Sequence, residues 1–420
     1  MLRRLRVPLA VLSALVVAQA AALLLRPRDG VIAPAPVDAG SYFSEGQLDR
    51  ARDFRGPQRT IFLGTLVVEL GVLGWLVARP PRRLRGPFRR PVLAAAVTGA
   101  ALSVLLDVAP LPLRAVAHQR AKDVGLATQG WVDWGGDVVR AGAIGAVLGG
   151  AGGGAAVWLM RRSPRRWWLP GSAVVIGFAA ITVYAGPIVI DPIFNKFQKL
   201  PEGRTRADVL ELARRAGVDV GQVYAVDASR RTTGANAYVT GLGHTKRVVL
   251  YDNLLKDFSR DEVRLVVAHE LGHVHYRDVP RGILFVALVA PAGLYTAARL
   301  TARLAPREAV PGPAVLPALA LSLGLVAFGV TTISNGLSRR VEARADSYSL
   351  RLTDEPGPFI GFERKLALRN VSDPDPPGWV TTLFGTHPPT VERIGIGEAY
   401  RRSITPTSGP PAGRGTPGGS

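Results

Sequence analysis

Residues 269–273, His-Glu-Leu-Gly-His, combine side chains that bind a metal ion with one that moves a proton. Residues four apart share a helix face, so His269 and His273 can hold one zinc ion through their ring nitrogens. Glu270 lies between them, where it can take a proton from a zinc-bound water molecule. The preceding stretch 263–268 is apolar enough to be buried, and buried imidazoles without a metal would be costly. The pattern predicts one zinc ion per chain and a hydrolase with Glu270 as general base.

A third protein ligand is expected, because catalytic zinc sites use three and leave one position for water. Glu342 and Asp346 are four residues apart in a hydrophilic stretch that we expect to continue the preceding helix. Glu342 can ligate zinc, and Asp346 can accept the free N–H of a ligating histidine and set its tautomer. The same residues fit a solvated charged helix about equally well, so the residues alone leave Glu342 open.

The remaining histidines give weaker signals. His387 lies in Thr-His-Pro-Pro-Thr, where prolines restrict the backbone and hold the imidazole in place. Such a histidine can donate to the oxyanion of a tetrahedral intermediate, although a surface histidine in a turn explains the same residues. We expect His118 in a loop, His244 in a turn and His275 on another helix face, none of them catalytic.

The segment before the motif predicts a small α+β region that positions it. Ser259 and Glu262 form a capping-box pattern at the start of the helix that carries the two histidines. Upstream, the sequence predicts one helix and three short strands, at 205–216, 223–226, 236–239 and 247–251.

The rest of the chain reads as membrane-spanning. It is 47% hydrophobic and 20% charged, with a mean hydropathy of +0.17, which is unusual for a soluble protein. Seven apolar segments are long enough to cross a bilayer, and the first lacks a clear cleavage site for a signal peptide. They lie near 7–25, 60–78, 91–112, 141–160, 167–190, 281–304 and 313–333.

Charge and cysteine content indicate the partner of the protein and exclude several kinds of site. The net charge is +20, but the arginines cluster beside apolar runs, so we expect the lipid bilayer and not nucleic acid as partner. The fourth apolar segment is rich in glycine, which suits close helix packing. The absence of cysteine excludes disulfides, thiolate metal sites and cysteine nucleophiles.

Taken together, these motifs resemble the zinc-dependent type I CAAX prenyl protease family, the seven-span membrane gluzincin peptidases. The resemblance covers most of the chain, and its motifs keep the family's order and spacing. Besides residues 269–273, it rests on the segments 43–47, 192–197, 227–231, 236–241, 246–252, 338–346 and 387–389.

The resemblance implies roles for individual residues. His269, His273 and Glu342 would be the metal ligands, Glu270 the general base and Asp346 a residue that orients a ligand. His387 and Arg393 would help to hold the substrate or the oxyanion. A strand that contains Asn236, Ala237 and Tyr238 would be a sheet edge that pairs with the extended substrate backbone.

The resemblance also implies the fold: a mainly α membrane bundle of about seven spans that encloses a chamber, joined to a gluzincin-type α+β zinc protease domain. We expect an N-terminal membrane region at 1–190 with five spans. A protease domain at 191–400 would include the last two spans, and 401–420, rich in Pro, Gly and Ser, would be a disordered tail.

Charge predicts the orientation. The short loops 79–90 and 161–166 carry ten arginines and no acid, which places them in the cytoplasm. Counting spans then places the active site on the outer side, in our expectation of the plasma membrane. We therefore predict an endopeptidase for membrane-associated or unfolded proteins and peptides. Processing of prenylated CAAX tails is the alternative, and a non-catalytic chaperone or scaffold, or a transporter, is less well supported.

Overall fold

Seven helices in the described part of the chain are long and apolar enough to cross a membrane, as the sequence predicts. The computed structural model describes residues 2–241, 246–305 and 311–405, without the side chains of 2–5. The seven helices are α1 (Leu2–Leu25), α2 (Glu45–Ala78), α3 (Pro91–Val108), α5 (Trp131–Arg162), α6 (Trp168–Val189), α11 (Asp278–Leu304) and α12 (Leu316–Thr353).

Several of these helices extend well beyond the apolar segments that predict them. α2 begins at Glu45 and α5 at Trp131, and α12 continues through Glu342 to Thr353. A helix satisfies its own backbone hydrogen bonds, so nothing forces it to end where the apolar run ends. The extensions carry polar side chains out of the spans, and the extension of α12 brings Glu342 to the metal site described below.

The glycines of α5 allow it to pack against α3, as expected. A Cβ added to Gly99 would overlap the carbonyl oxygen of Gly149, and one added to Gly153 would lie 2.8 Å from the Ala95 carbonyl oxygen. Two helix backbones approach this closely only where small residues, glycine above all, stand at the contact.

One expectation about the membrane region is wrong. His118 lies in a helix, α4 (Leu111–Asp123), and not in a loop. Pro112 stands in the first turn of α4, a position at which proline is compatible with a helix because its missing N–H would be unpaired there anyway. The His118 ring is buried and stacks on Trp134, with ring centroids 5.1 Å apart.

A four-stranded sheet follows α7 (Asp191–Phe194), with strand order β1-β2-β4-β3. Its strands are β1 (Phe197–Lys199), β2 (Gln222–Val226), β3 (Ala237–Thr240) and β4 (Arg247–Tyr251). β2 and β4 are parallel, and the other two pairs are antiparallel. The three predicted strands are confirmed. β1, three residues long, was not predicted because it alternates too briefly to leave a pattern.

Six further α-helices lie in the described part of the chain that follows β1, and one of them, α10, carries the two histidines. They are α8 (Arg204–Arg215), α9 (Asp252–Asp257), α10 (Arg260–His275), α13 (Pro356–Arg369), α14 (Gly378–Phe384) and α15 (Thr390–Ile404). The predicted capping box at the start of α10 is present: Ser259 accepts from the Glu262 backbone, and the Glu262 side chain accepts from the Ser259 backbone. The buried face of α10, including Val263, Val267 and Leu271, packs in one core with α8, β2 and β4.

The end of the chain differs in part from the expectation of a tail that begins at residue 401. α15 continues to Ile404, and residues 406–420 lie outside the described part. The division into a membrane region at 1–190 and a protease domain at 191–400 stays a prediction, as does the enclosed chamber.

Candidate active site

His269 and His273 on α10 and Glu342 on α12 bring their donor atoms to one point. One ligand atom from each lies within 4.8 Å of the other two. The two Nε2 atoms are 3.2 Å apart, and His269 Nε2 is 3.3 Å from Glu342 Oε2. Donors around a tetrahedral zinc ion, at about 2.0–2.1 Å from the metal, are themselves about 3.3 Å apart.

The protonation of the two imidazoles follows from their other contacts. His269 Nδ1 is 2.8 Å from Asp346 Oδ1, and His273 Nδ1 is 3.0 Å from Asp278 Oδ2. A carboxylate accepts hydrogen bonds, so each Nδ1 carries the proton and each Nε2 presents a lone pair. Two lone pairs and the Glu342 carboxylate thus face each other, an arrangement that requires a cation. The residues fit a zinc ion.

Each orienting carboxylate is itself held by an arginine. Arg393 donates to Asp346 through Nε at 2.8 Å, and its Nη2 also contacts this carboxylate at 2.5 Å. Arg344 contacts Asp278 at 2.5 Å and lies over the Tyr276 ring at 4.1 Å. The side chains of Asp346 and Asp278 are 0% and 9% exposed, so neither carboxylate moves freely.

Asp278 and Arg344 were missed by the sequence reasoning. Asp278 stands at the start of α11, directly after Arg277, which adopts the left-handed conformation with φ 54°. That sharp turn brings Asp278 back to His273, only five residues earlier. The sequence signal for Asp278 was an acidic residue five positions after His273. The direction of the turn between them could not be predicted from the sequence.

Arg393 contacts a second buried carboxylate. Its Nη1 lies 2.9 Å from Glu363 Oε2, and the Glu363 side chain is 2% exposed. The guanidinium of Arg393 is therefore held between Asp346 and Glu363, at the back of the metal site. Glu363, on α13, is a further residue that no pattern in the sequence indicates.

Glu270 lies beside the metal donors and faces a cleft of about 550 Å³. Burial raises the pKa of Glu270, which makes the carboxylate a stronger base. The cleft extends from His269 and Glu270 along apolar side chains of α10 and α13, which include Leu265, Phe359 and Phe362. This geometry suits a proton acceptor beside a bound substrate.

His387 lies at the mouth of the site. Its side chain is 59% exposed, and its Nδ1 is 3.0 Å from Glu342 Oε2. Pro388 and Pro389 line the same cleft, together with Thr390 at the start of α15. The imidazole is thus next to the metal donors and accessible from the solvent.

β3 is the outermost strand of the sheet on the side of the cleft, and Asn236 lines that cleft. The Tyr251 N–H donates to the Asn236 carbonyl, so Asn236 directs its backbone toward β4. In an antiparallel pair, successive residues direct their backbone N–H and C=O groups alternately toward and away from the neighbouring strand. The backbone groups of Ala237 and Val239 therefore point away from β4. The Asn236 side chain accepts from the Ala237 N–H at 2.9 Å, and the Tyr238 hydroxyl donates to Asp191 at 3.0 Å.

Most of the residues selected from the sequence thus meet in one place. The structure brings together His269, Glu270, His273, Glu342, Asp346, His387 and Arg393 around the cleft. His275 instead packs on Tyr276 and Tyr348, and His118 lies on α4. His244 lies outside the described residues.

Comparison with known proteins identifies the family. Residues 199–396 match the model of peptidase family M48, and residues 61–196 match a model described as CAAX prenyl protease N-terminal, five membrane helices. The chain is 32% identical to the uncharacterized metalloprotease YhfN of Bacillus subtilis over 300 residues, which cover 70% of each protein. The chain belongs to peptidase family M48.

A further relative and a solved structure are similar to the chain. The chain is 32% identical to the CAAX prenyl protease 1 homolog of Oryza sativa subsp. japonica over 239 residues, and so spans about half the length of that relative. The crystal structure of S. mikatae Ste24p superimposes with a TM-score of 0.70 at 17% identity, covering 93% of this chain and 98% of that one, which shows a shared fold.

Membership in M48 confirms the main functional predictions. The protein is a metalloendopeptidase whose family implies a metal cofactor, typically zinc, and peptide or protein substrates. With its seven apolar helices it is a multi-pass integral membrane protein.

Proposed function

We propose that this M48 peptidase binds one zinc ion per chain through His269, His273 and Glu342 and cleaves peptide bonds of membrane-associated or unfolded proteins and peptides. The observation that carries the proposal is the convergence of two Nε2 lone pairs and a carboxylate at tetrahedral spacing. A structural helix would not direct three such groups at one point without a cation between them.

Glu270 is the general base in this proposal. A zinc ion bound by His269, His273 and Glu342 would supply Lewis acidity, which would make a water molecule more acidic and polarise the scissile carbonyl. Glu270, with its raised pKa, takes the proton of the attacking water from its position in the cleft. Asp346 and Asp278 keep both Nε2 atoms unprotonated by accepting from Nδ1, and Arg393 and Arg344 hold these carboxylates in place.

Substrate binding is assigned to β3 and His387. The outward carbonyl of Ala237 and the outward backbone groups of Val239 can pair with an extended peptide laid along the edge, beside Asn236 and Tyr238. His387 is close enough to the metal donors to donate a hydrogen bond to the oxyanion. The guanidinium of Arg393 is engaged by two carboxylates, which favours a role in orienting Asp346 over direct contact with substrate.

Processing of C-terminal CAAX-type prenylated substrates is the second candidate. It is favoured by relatives named CAAX prenyl protease 1 homologs, although the chain spans about half the length of the plant relative. Against it stands the charge of the membrane loops, which supports a plasma-membrane protein with its active site facing outward, away from cytosolic prenylated tails. Cleavage of a prenylated peptide in preference to its unmodified form would favour this candidate.

Metal analysis of the purified protein tests the ligand assignment. Replacing Glu342 by Ala is expected to lower zinc content and peptide hydrolysis together, because one of three ligands is lost. His275→Ala is the control, since it removes an imidazole from α10, the helix of the two histidine ligands, and His275 packs on Tyr276 and Tyr348 away from the site. Full zinc content in Glu342→Ala would contradict the assignment and direct the search for a third ligand to Asp346.

A further inference from the structure

Two connections between membrane spans concentrate positive charge. Residues 79–90 join α2 to α3, and residues 161–166 comprise the end of α5 and most of its connection to α6; the two segments contain ten arginines and no acidic residue. All ten arginine side chains are exposed. The arginines, here called the arginine face, are Arg79, Arg82, Arg83, Arg85, Arg89, Arg90, Arg161, Arg162, Arg165 and Arg166.

The fold brings the two connections to the same end of the bundle. The beginning of α3 packs against the end of α5, because Gly153 and Gly154 lie against the backbone of Ala95 and Val92. Arg161 also donates to the Pro311 carbonyl at 3.3 Å, so the segment that leads into α12 reaches this end too. Charges that are far apart in the sequence therefore form one surface.

Exposed tryptophans mark the depth of this surface in the membrane. Trp75 and Trp158 lie one helical turn before Arg79 and Arg162, and they are 57% and 55% exposed. Trp167 and Trp168 follow directly after Arg166, so four of the seven tryptophans of the chain lie at this boundary. Tryptophan prefers the level of the lipid headgroups, which places the arginines beside the lipid phosphates.

The positive charge of the arginine face is not neutralised within the described part of the protein. None of the ten guanidinium groups forms a salt bridge with a carboxylate there, whereas Arg344 and Arg393 at the metal site each pair with a carboxylate. Arginine binds phosphate through two parallel hydrogen bonds. Each basic residue near an anionic bilayer surface strengthens the association of the protein with anionic lipid about fivefold.

We propose that the arginine face is a binding surface for the headgroups of anionic phospholipids. Along α12, the distance from Leu316 at this end to Glu342 at the metal site is about 39 Å at 1.5 Å per residue. The lipid site is therefore separate from the peptidase site, and the proposal does not rest on the mechanism above.

Lipid retention by the full-length protein in neutral detergent, followed by native mass spectrometry, tests the proposal. The wild-type protein is expected to retain phosphatidylglycerol in preference to phosphatidylcholine. A variant with four arginines of the face changed to Gln is expected to bind phosphatidylglycerol at least about tenfold more weakly, with peptide hydrolysis in detergent unchanged. Its substitutions are Arg82→Gln, Arg83→Gln, Arg85→Gln and Arg89→Gln.

A second variant removes the same charge elsewhere and serves as the control. It carries Arg28→Gln, Arg52→Gln, Arg204→Gln and Arg402→Gln, at exposed positions outside the arginine face. It is expected to bind phosphatidylglycerol like the wild type. An equal loss of phosphatidylglycerol binding in both variants would show that only the net charge of the protein matters, and it would overturn the proposal.

Soluble anions separate a lipid site from a general anion site. Inorganic phosphate and glycerol phosphate, at concentrations equal to the lipid, are expected not to displace phosphatidylglycerol, because they lack the membrane anchoring that brings the headgroup to the arginines. Displacement by either, equal retention of both lipids by the wild type, or preferential binding of a short RNA would overturn the proposal.

Discussion

At the scale of single residues, the metal site consists of two similar units. His269 and His273 each donate through Nδ1 to a buried carboxylate, and each carboxylate is held by an arginine. The units differ in origin, since Asp346 comes from α12 and Asp278 from the start of α11. The orientation of both imidazoles is therefore determined by residues that never touch the metal.

Asp278→Ala is expected to weaken zinc binding about 10–100-fold, because the His273 imidazole loses the group that sets its tautomer and orientation. The measurement is the zinc dissociation constant, obtained by competition with a chelator. Asp261→Ala is the control: Asp261 is exposed in the first turn of α10, and its replacement should leave the zinc dissociation constant unchanged. Wild-type affinity in Asp278→Ala would mean that His273 needs no orienting carboxylate.

His387→Phe is expected to lower kcat about 10²–10³-fold, the usual loss when one oxyanion donor is removed. Zinc content should stay at the wild-type level, because the imidazole is 59% exposed and is not one of the three donors. Steady-state kinetics beside metal analysis separate these effects. An unaltered kcat would return His387 to the interpretation as a surface histidine in a turn.

The chemistry of the central residues and the orienting role of Asp346 could be predicted from spacing, whereas the other supporting residues could not. His269 and His273 lie on one face because helix geometry puts residues four apart together. Asp278 and Glu363 depend on tertiary packing: one reaches the site through a left-handed turn at Arg277, the other through the docking of α13 behind Arg393. Neither placement is encoded in a local pattern.

At the scale of elements, the backbones of α3 and α5 approach closely at Gly99 and Gly149. Replacing Gly99 by Ala introduces a methyl group where the Gly149 carbonyl oxygen lies, so the two helices must separate. The expected loss of stability is about 1–3 kcal/mol, the usual cost of overpacking. The thermal unfolding of the purified protein in detergent measures it.

Gly152→Ala is the matched control for this prediction. It makes the same change in α5, but the added methyl group meets nothing within 4 Å. Alanine is also the better helix former, so the stability of Gly152→Ala should equal or exceed that of the wild type. Equal unfolding temperatures for Gly99→Ala and the wild type would show that α3 and α5 do not pack as described.

The existence of the helices was more predictable than their ends. Hydropathy indicates an apolar run, and the seven runs correspond to the seven candidate spans. It does not indicate where a helix ends, which is why the polar extension of α2 from Glu45 was missed. The short helix α4 was missed as well, since His118 was expected in a loop.

At the scale of the whole molecule, the proposed orientation depends on the arginine face. With that end in the cytoplasm, α10 and the metal site lie on the outer side. Labelling of single introduced cysteines in intact cells with a membrane-impermeant thiol reagent tests this orientation. The chain has no native cysteine, so only the introduced one can react. We expect labelling at Lys199→Cys and none at Arg85→Cys; the reverse pattern would favour the CAAX-processing alternative.

The central claim is that Glu270 acts as the base of a zinc-dependent endopeptidase. The most direct measurement compares zinc content and peptide hydrolysis in the purified wild type and in Glu270→Gln, which keeps the size of the side chain but cannot accept the proton. The account predicts unchanged zinc content and a turnover about 10²–10⁴-fold lower. Wild-type turnover in Glu270→Gln, with zinc bound, would contradict it.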